Sequence, residues 1–300
     1  MKKIIKCQIC NGKLIKTFSL GKQPLCDDLI KIGSKRKNLL YDINIIFCKS
    51  CIIAYNQILV DPKKLFPKNY HYRSNLTIDV LKGMKNLVEE VKMKYGKLNN
   101  KVVLDIGCND GSLLNYFKFY GAKTIGVEPT SAALNVSKNH KVFNNYFSKK
   151  IALEIKKKYK SIDYITFTNV FAHIANLKLL INNLKLLTDD KTKIIIENHY
   201  LGSVIKKKQF DTFYHEHPRT YSLSSFLKIA EMVNMQVESR GFKKRYGGNI
   251  RVIIGKNKKI NDFNKIISKE KKFFQKLLDF KKFIIKWKKN TLKKIINLNK

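Results

Sequence analysis

Lys101–Pro129, KVVLDIGCNDGSLLNYFKFYGAKTIGVEP, decides the fold. Val102, Val103, Leu104 and Ile106 form an apolar, largely β-branched run that closes on Asp105-Ile106-Gly107, which reads as a buried strand entering a tight turn. Gly111 and Ser112 open an amphipathic stretch, Leu113, Leu114 and Phe117, and Thr124–Val127 is a second strand with Glu128 at its tip. Strand, glycine turn, helix, strand and acid make one half of a nucleotide-binding α/β unit. Glycine lets the backbone turn sharply and approach a ligand with no Cβ in the way. The helix behind it points free N–H groups at an anion over the turn, and the acid can accept hydrogen bonds from a ribose diol.

The spacing chooses among ligands. A dinucleotide fingerprint needs glycines at 109 and 112, where Asn109 and Ser112 stand. The D-x-G-x-x-x-G pattern of Asp105, Gly107 and Gly111, with Glu128 beyond it, resembles the S-adenosylmethionine (SAM) site of class I methyltransferases. An ordinary βαβ unit with a glycine turn is the alternative. The expected cofactor residues are Asp105, Gly107, Asn109, Asp110, Gly111, Glu128, Asn145, Tyr146 and Asn169.

Outward from that unit the α/β alternation continues. Helices are predicted at Ala132–Lys138, Ile151–Lys157 and Leu177–Leu187, and strands at Val142–Phe143, Tyr164–Val170 and Lys193–Glu197. A helix at Leu223–Val233, capped by Ser222 or Ser224, precedes strands Gln236–Gly241 and Ile250–Ile254. A terminal hairpin after five alternating units predicts a seven-stranded, Rossmann-like α/β sheet. Ligands in such sheets sit beyond the carboxyl ends of the strands. Gly107, Glu128, Asn145, His173 and Glu197 are therefore expected around one pocket.

The first seventy residues carry Cys7-x-x-Cys10 and Cys48-x-x-Cys51. Two such knuckles complete a tetrahedral zinc site, and four thiolates leave no open position for water, so the metal reads as structural. A redox pair is the alternative. Strands are expected near Phe18–Leu20 and Ile43–Phe47, and Cys26 and Cys108 as packing residues. Leu65–Ser74 is a polar-aromatic link whose tyrosines pack or line a junction site, and Ser74 or Thr77 caps a helix through Val80–Val91. The expected domains are 1–70, 71–255 and a Lys-rich amphipathic tail, 256–300.

Lys+Arg number 61 against 22 Asp+Glu, for a formal net charge of +39. The excess is lysine spread along the whole chain, with abundant Ile and Asn, the mark of an AT-rich coding sequence. Base readout favours arginine, so no nucleic-acid partner is expected. No apolar run reaches spanning length and no signal-peptide h-region follows Met1-Lys2-Lys3, so a cytoplasmic chain without stable membrane insertion is expected.

The most unusual segment is Gln209–Ser222, QFDTFYHEHPRTYS. Tyr214, His215, Glu216 and His217 in a row are costly to bury without purpose. Consecutive residues face alternate sides, which argues against one metal and for general-base chemistry by imidazole.

Together these motifs resemble the zinc-containing, SAM-dependent C-methyltransferases of nucleotide-linked 4-keto-deoxysugars. The resemblance rests on Leu20-Gly21-Lys22-Gln23-Pro24-Leu25, Tyr72-Arg73-Ser74, Asp105–Gly111, His173, Phe210–His217 and Gly247–Arg251, and it spans residues 5–255. It implies SAM and structural Zn²⁺, a nucleotide-linked sugar as substrate, and His217 as the base that removes a proton beside a ketone. Tyr214 and Glu216 would orient base or sugar, and His173 and Tyr72 would bind substrate or steady the enolate. Tyr246-Gly247-Gly248-Asn249 departs from the family's His-Gly-Gly-Ser, and the tail resembles the family's linking helix without its further domain. O-methylation of glycan precursors and non-catalytic nucleic-acid binding are the competing readings.

Overall fold

The computed structural model describes residues 2–136, 138–257 and 262–298. The amino-terminal part holds β1 (Lys2–Lys3), β2 (Ile15–Gln23), β3 (Tyr41–Cys48), β4 (Ile53–Asn56), β5 (Ile58–Leu59) and the short α1 (Pro62–Leu65). A 3₁₀ turn leads to α2 (Ile78–Tyr95), then β6 (Val102–Ile106), α3 (Ser112–Phe119), β7 (Lys123–Val127), α4 (Ala132–Val136), β8 (Lys141–Phe143) and α5 (Lys149–Lys158). There follow β9 (Tyr164–Thr168), α6 (Leu177–Leu187), β10 (Lys193–His199), α7 (Leu201–Lys207), β11 (Arg219–Thr220) and α8 (Leu223–Met232). The chain closes with β12 (Gln236–Lys243), β13 (Asn249–Gly255), α9 (Asn264–Glu270) and α10 (Phe273–Leu298).

Seven strands form one sheet in the order β12-β13-β10-β9-β6-β7-β8. β6 through β10 pair in parallel, while β13 runs antiparallel between β10 and β12. The parallel strands are buried on both faces, which is why they read as apolar runs instead of alternating. The order reverses at β6, and the crevice at such a switch point lies beyond the Gly107 turn. The predicted seven-stranded sheet with a terminal hairpin is the observed one.

A second sheet, β11-β4-β3-β2, joins the two parts of the chain. Arg219 and Thr220, directly after the HEHP segment, pair antiparallel with Tyr55 and Ala54 of β4. On this sheet's apolar face Phe18, Ile45 and Phe47 meet Leu201, Val204 and Phe213, and the first turns of α10 add Phe273, Leu277 and Phe280. The tail thus docks on its own chain, and beyond those turns Ile285, Leu292 and Ile296 are exposed.

Local expectations differ in places. α4 is described only to Val136, and Ser137 of the predicted helix lies outside the described residues, as do 258–261 and 299–300 of the tail. Thr77 occupies the cap of α2 without a side-chain bond, and Ser74 instead begins the 3₁₀ turn, because its N–H is engaged by Asn109. Ser222 caps α8 in a capping box closed by Ser225. Cys108 packs in the core as expected, whereas Cys26 is exposed in the loop after β2.

Glu270 is fully buried and anchors the tail to α7 and α8. It accepts from the Leu223 and Ser224 N–H groups, each at 2.8 Å, from Ser224 Oγ at 2.5 Å and from Tyr200 OH at 2.8 Å. A carboxylate at the first turn of α8 also meets the positive end of the helix dipole. Glu270→Ala leaves these donors buried and unpaired and is expected to cost about 2–4 kcal/mol, read as a lower urea midpoint, with Glu270→Gln losing less. A midpoint unchanged in Glu270→Ala contradicts this anchor.

Candidate active site

The floor of the site is the Gly107 turn. Asp105 ends β6 buried, with its Oδ1 accepting from Thr166 Oγ1 at 2.7 Å. Burial pushes its carboxyl up to about 7, against the pull of Thr166 and with a push from Glu128. Gly107 has φ 74° and lies so close to Val170 that a Cβ would meet its methyls at 2.6 Å, so only glycine fits. Glu128 is fixed at both oxygens: Oε2 accepts from Asn109 N at 3.0 Å, and Oε1 from Thr130 N at 2.9 Å and Thr130 Oγ1 at 2.7 Å.

The linker before α2 is sewn onto this turn. Asn109 Oδ1 accepts from Ser74 N at 2.9 Å, and its Nδ2 donates to the Tyr72 carbonyl at 3.1 Å. Asp110 Oδ2 accepts from Asn75 N at 2.8 Å. The Tyr72 side chain is thereby held over the cofactor turn.

The opposite wall is the Tyr214–His217 segment. His217 Nδ1 lies 2.9 Å from the Thr212 carbonyl, and His173 Nδ1 lies 2.7 Å from the Glu216 carbonyl. A carbonyl only accepts, so these contacts put the proton of each neutral ring on Nδ1 and leave a lone pair on Nε2, with the Asn169 backbone a further neighbour of the His173 ring. The rings of His173 and His217 lie 4.9 Å apart, and Tyr214 packs edge-on to His217 at 4.3 Å. Burial holds both imidazoles below their ordinary range, in His217 with help from His173 and His199. Burial, then the Asp27 carboxylate that hydrogen-bonds it, pushes Glu216 up to about 8. Its carboxyl thus faces Asp27 and Tyr70; the Thr212 carbonyl orients His217, and the Glu216 backbone orients His173.

Floor and wall enclose a cavity of about 780 Å³. Tyr72, Asp105, Gly107, Asn109, Glu128, Tyr146, Asn169, His173, Tyr214, Glu216 and His217 all line it. Asp110, Gly111 and Asn145 do not: Asp110 caps Ser112 behind the turn, Gly111 precedes α3 with φ 78°, and Asn145 is exposed beside Tyr146. Glu197 is also off the cavity, because it lies within β10 and is consumed by Arg251 at 2.6 Å and Asn249 at 3.2 Å. Sequence reasoning missed His199 at the end of β10, though the strand-end rule that selected His173 applies to it. Asp27 gave no signal; only the tertiary fold brings it to Glu216.

The metal centre lies where β3 turns into β4, the strand that pairs with β11. The Sγ atoms of Cys7, Cys10, Cys48 and Cys51 lie within 4.8 Å of one another, with Cys7–Cys51 at 3.7 Å and Cys10–Cys48 at 3.6 Å. A tetrahedron with Zn–S bonds of about 2.3 Å has edges of about 3.8 Å, so four thiolates at these positions fit zinc. Tyr55 OH lies 3.2 Å from Cys7 Sγ and accepts from Gln8 N at 3.2 Å. Arg219, fully buried, donates to Gln8 Oε1, to the Ala175 carbonyl at 3.3 Å and to Tyr221 OH at 2.8 Å. The same guanidinium therefore reaches the first knuckle and the segments carrying His173 and His217.

A doubly wound sheet with a glycine turn, a strand-tip acid and a shared cavity is the fold of a class I, SAM-binding methyltransferase, here with a zinc-binding module in front of it. The methyltransferase-domain family model matches residues 81–240, more than half of the chain, and the protein belongs to that family; a zinc-binding-domain model matches 7–66. The C-methyltransferase NovU of Streptomyces niveus is 24% identical over 251 residues, covering 82% of this chain and 60% of that protein. The chain thus spans about three fifths of that relative's length. The ubiquinone biosynthesis O-methyltransferase of Coxiella burnetii is 29% identical over 106 residues, 33% of this chain and 45% of that one. Among solved structures, the magnesium protoporphyrin IX methyltransferase of Synechocystis with bound SAM overlays with a TM-score of 0.47 at 13% identity, covering 67% of this chain and all of that one. No described helix is long and apolar enough to cross a membrane.

Because the zinc cluster underlies β4, its loss is felt at β11. Cys48→Ser is expected to lower bound zinc from about one per chain to near zero in native metal analysis and to lower the thermal midpoint. Full stability without metal contradicts a structural zinc.

Proposed function

We propose that this chain transfers a methyl group from SAM to a carbon next to the ketone of a nucleotide-linked 4-keto-deoxysugar, with His217 as the general base. The observation that carries the reading is the His217 ring: its Nδ1–H is tied to Thr212, and its Nε2 lone pair belongs to the same cavity as the Gly107 turn. Its depressed basicity keeps the imidazole free to accept a proton at neutral pH.

Glu128 would hold the ribose hydroxyls, and Tyr146, whose hydroxyl donates to the Phe66 carbonyl at 2.9 Å, would wall the adenine. Asp105 and Glu128 set two buried carboxylates against a cofactor with a sulfonium and an ammonium group. When bound, SAM supplies an electrophilic methyl to the nucleophilic carbon, and the C–S electron pair stays on sulfur. The chain's share of the work is to hold the sugar, exclude water and take the proton. Tyr72 and Tyr214 line the space a sugar would occupy. The carbon acceptor is supported by the NovU likeness; the nucleotide-sugar class is supported by the Phe210–His217 and Gly247–Arg251 motifs. The chain also resembles O-methyltransferases over a third of its length, and the same base could serve a hydroxyl.

With ¹³C-methyl SAM and a panel of nucleotide-linked ketosugars, product NMR is expected to show the new methyl on carbon. His217→Asn is expected to lower transfer by about 10²–10⁴-fold while SAM binding by calorimetry is unchanged. The free base is the active form, so the acidic limb of kcat/KM falls below pH ~6.5. A normally active His217→Asn overturns the base assignment, and a methyl on oxygen overturns the carbon acceptor.

A further inference from the structure

The cavity holds three imidazoles, and only two are committed. His173 and His217 each spend their Nδ1–H on a backbone carbonyl. Both therefore offer the cavity only a lone pair while neutral, and both are held neutral by burial. Neither can donate a hydrogen bond to a ketone oxygen in that state.

His199 differs. It ends β10 at the strand tip, lines the cavity, and packs 5.1 Å from the His217 ring and 5.7 Å from the Tyr246 ring. Neither of its ring nitrogens has a hydrogen-bond partner among the described residues, so the N–H that a neutral imidazole must carry is unspent. Its backbone is fixed: Asn249 lies opposite it across the β10–β13 ladder, and the next residue, Tyr200, donates its N–H to the Gly248 carbonyl at 3.1 Å. Tyr246, in the left-handed region at φ 49°, closes over the ring from the β12–β13 turn.

We propose that His199 is a further catalytic residue: its neutral N–H donates to the substrate's ketone oxygen and stabilises the enolate that forms when His217 takes the neighbouring proton. This rests on the C-methylation reading above. The step balances within the site. The C–H bond beside the ketone breaks, its proton goes to Nε2 of His217, and the electron pair spreads through the new C=C bond onto the ketone oxygen. That oxygen gains its negative charge facing the His199 N–H. A preset donor aimed at developing charge does more in the transition state than in the ground state. Burial and His173 hold His199 down at about 4, so the donor is imidazole and not imidazolium, and it does not surrender its own proton to the enolate. The nearby Asp211 carboxylate, on the cavity rim, acts in the opposite sense and is too weak to reverse this.

The Tyr72 and Tyr214 hydroxyls are the rival donors, since both also line the cavity. The test uses the full-length protein, a nucleotide-linked 4-keto-6-deoxyhexose as probe, ¹³C-methyl SAM, and α-proton exchange in D₂O read by NMR. His199→Leu is expected to lower both kcat and the exchange rate by about 10²-fold, with KM and SAM affinity within threefold. His199→Gln, which restores an N–H, is expected to recover at least about tenfold of that loss. A purely structural role would not give rescue by Gln with KM unmoved. His199→Leu within threefold of wild type overturns the proposal while leaving C-methylation intact, as does a loss of exchange seen only in Tyr72→Phe or Tyr214→Phe. Wild-type transfer to oxygen, or no transfer and no exchange, overturns the C-methylation reading and the His199 role together.

Discussion

The antiparallel pairing of Arg219 and Thr220 with Tyr55 and Ala54 is the constraint on which the site depends. Only Pro218 separates Arg219 from His217, so the register of this short ladder decides where the imidazole sits. A two-residue strand is weak by itself. Here it is reinforced by the Asn56 N–H bonded to the Pro218 carbonyl at 3.0 Å and by the buried Arg219 guanidinium, which spans Gln8, Ala175 and Tyr221. His215 adds a further tie, its Nε2 donating to the Tyr41 carbonyl at 3.2 Å. The amino-terminal module thus helps to build the cavity wall. Four thiolates brought together carry concentrated negative charge, which a metal neutralises, and the module's small core would otherwise have little to hold it.

The floor is built by different physics. A parallel sheet buried on both faces leaves its polar residues at the strand tips, where the backbone turns out of the hydrogen-bonded ladder. Asp105, Glu128, Asn169 and His199 all stand at or next to such tips. Positive φ values recur in the same places, at Gly107, Asn109 and Asn169, because the chain must reverse there without a bulky side chain in the way. The cavity is therefore a meeting of a rigid sheet edge with a loop held by a second sheet, and the imidazoles come from both sides of it.

The sheet could be read from the sequence because its signals are local. β-branched runs, glycine turns and the cap at Ser222 each act within a few residues. The paired C-x-x-C spacing likewise carries its chemistry in the sequence. Other features needed the fold. Asp110 and Gly111 belong to the turn motif, yet neither lines the cavity: Asp110 is taken up by Asn75 N and Ser112. Asn145 was one residue off the wall that Tyr146 forms. Glu216 was expected to orient a histidine through its carboxylate, but it does so through its backbone carbonyl, a group every residue has and no motif reveals. Glu197 satisfies the strand-end rule in sequence but is taken up by Arg251 and Asn249, which lie far along the chain. His199 and Asp27 owe their importance to neighbours more than 17 and 180 residues away, respectively.

The central claim is that the cofactor's sulfur and the His217 imidazole share one cavity. A crystal structure of the full chain with S-adenosylhomocysteine tests it most directly. The account predicts the ribose on Glu128 and the thioether sulfur in the open space between the Gly107 turn and the rings of His173, His199 and His217. A thioether bound outside that cavity, or separated from His217 by packed side chains, contradicts it.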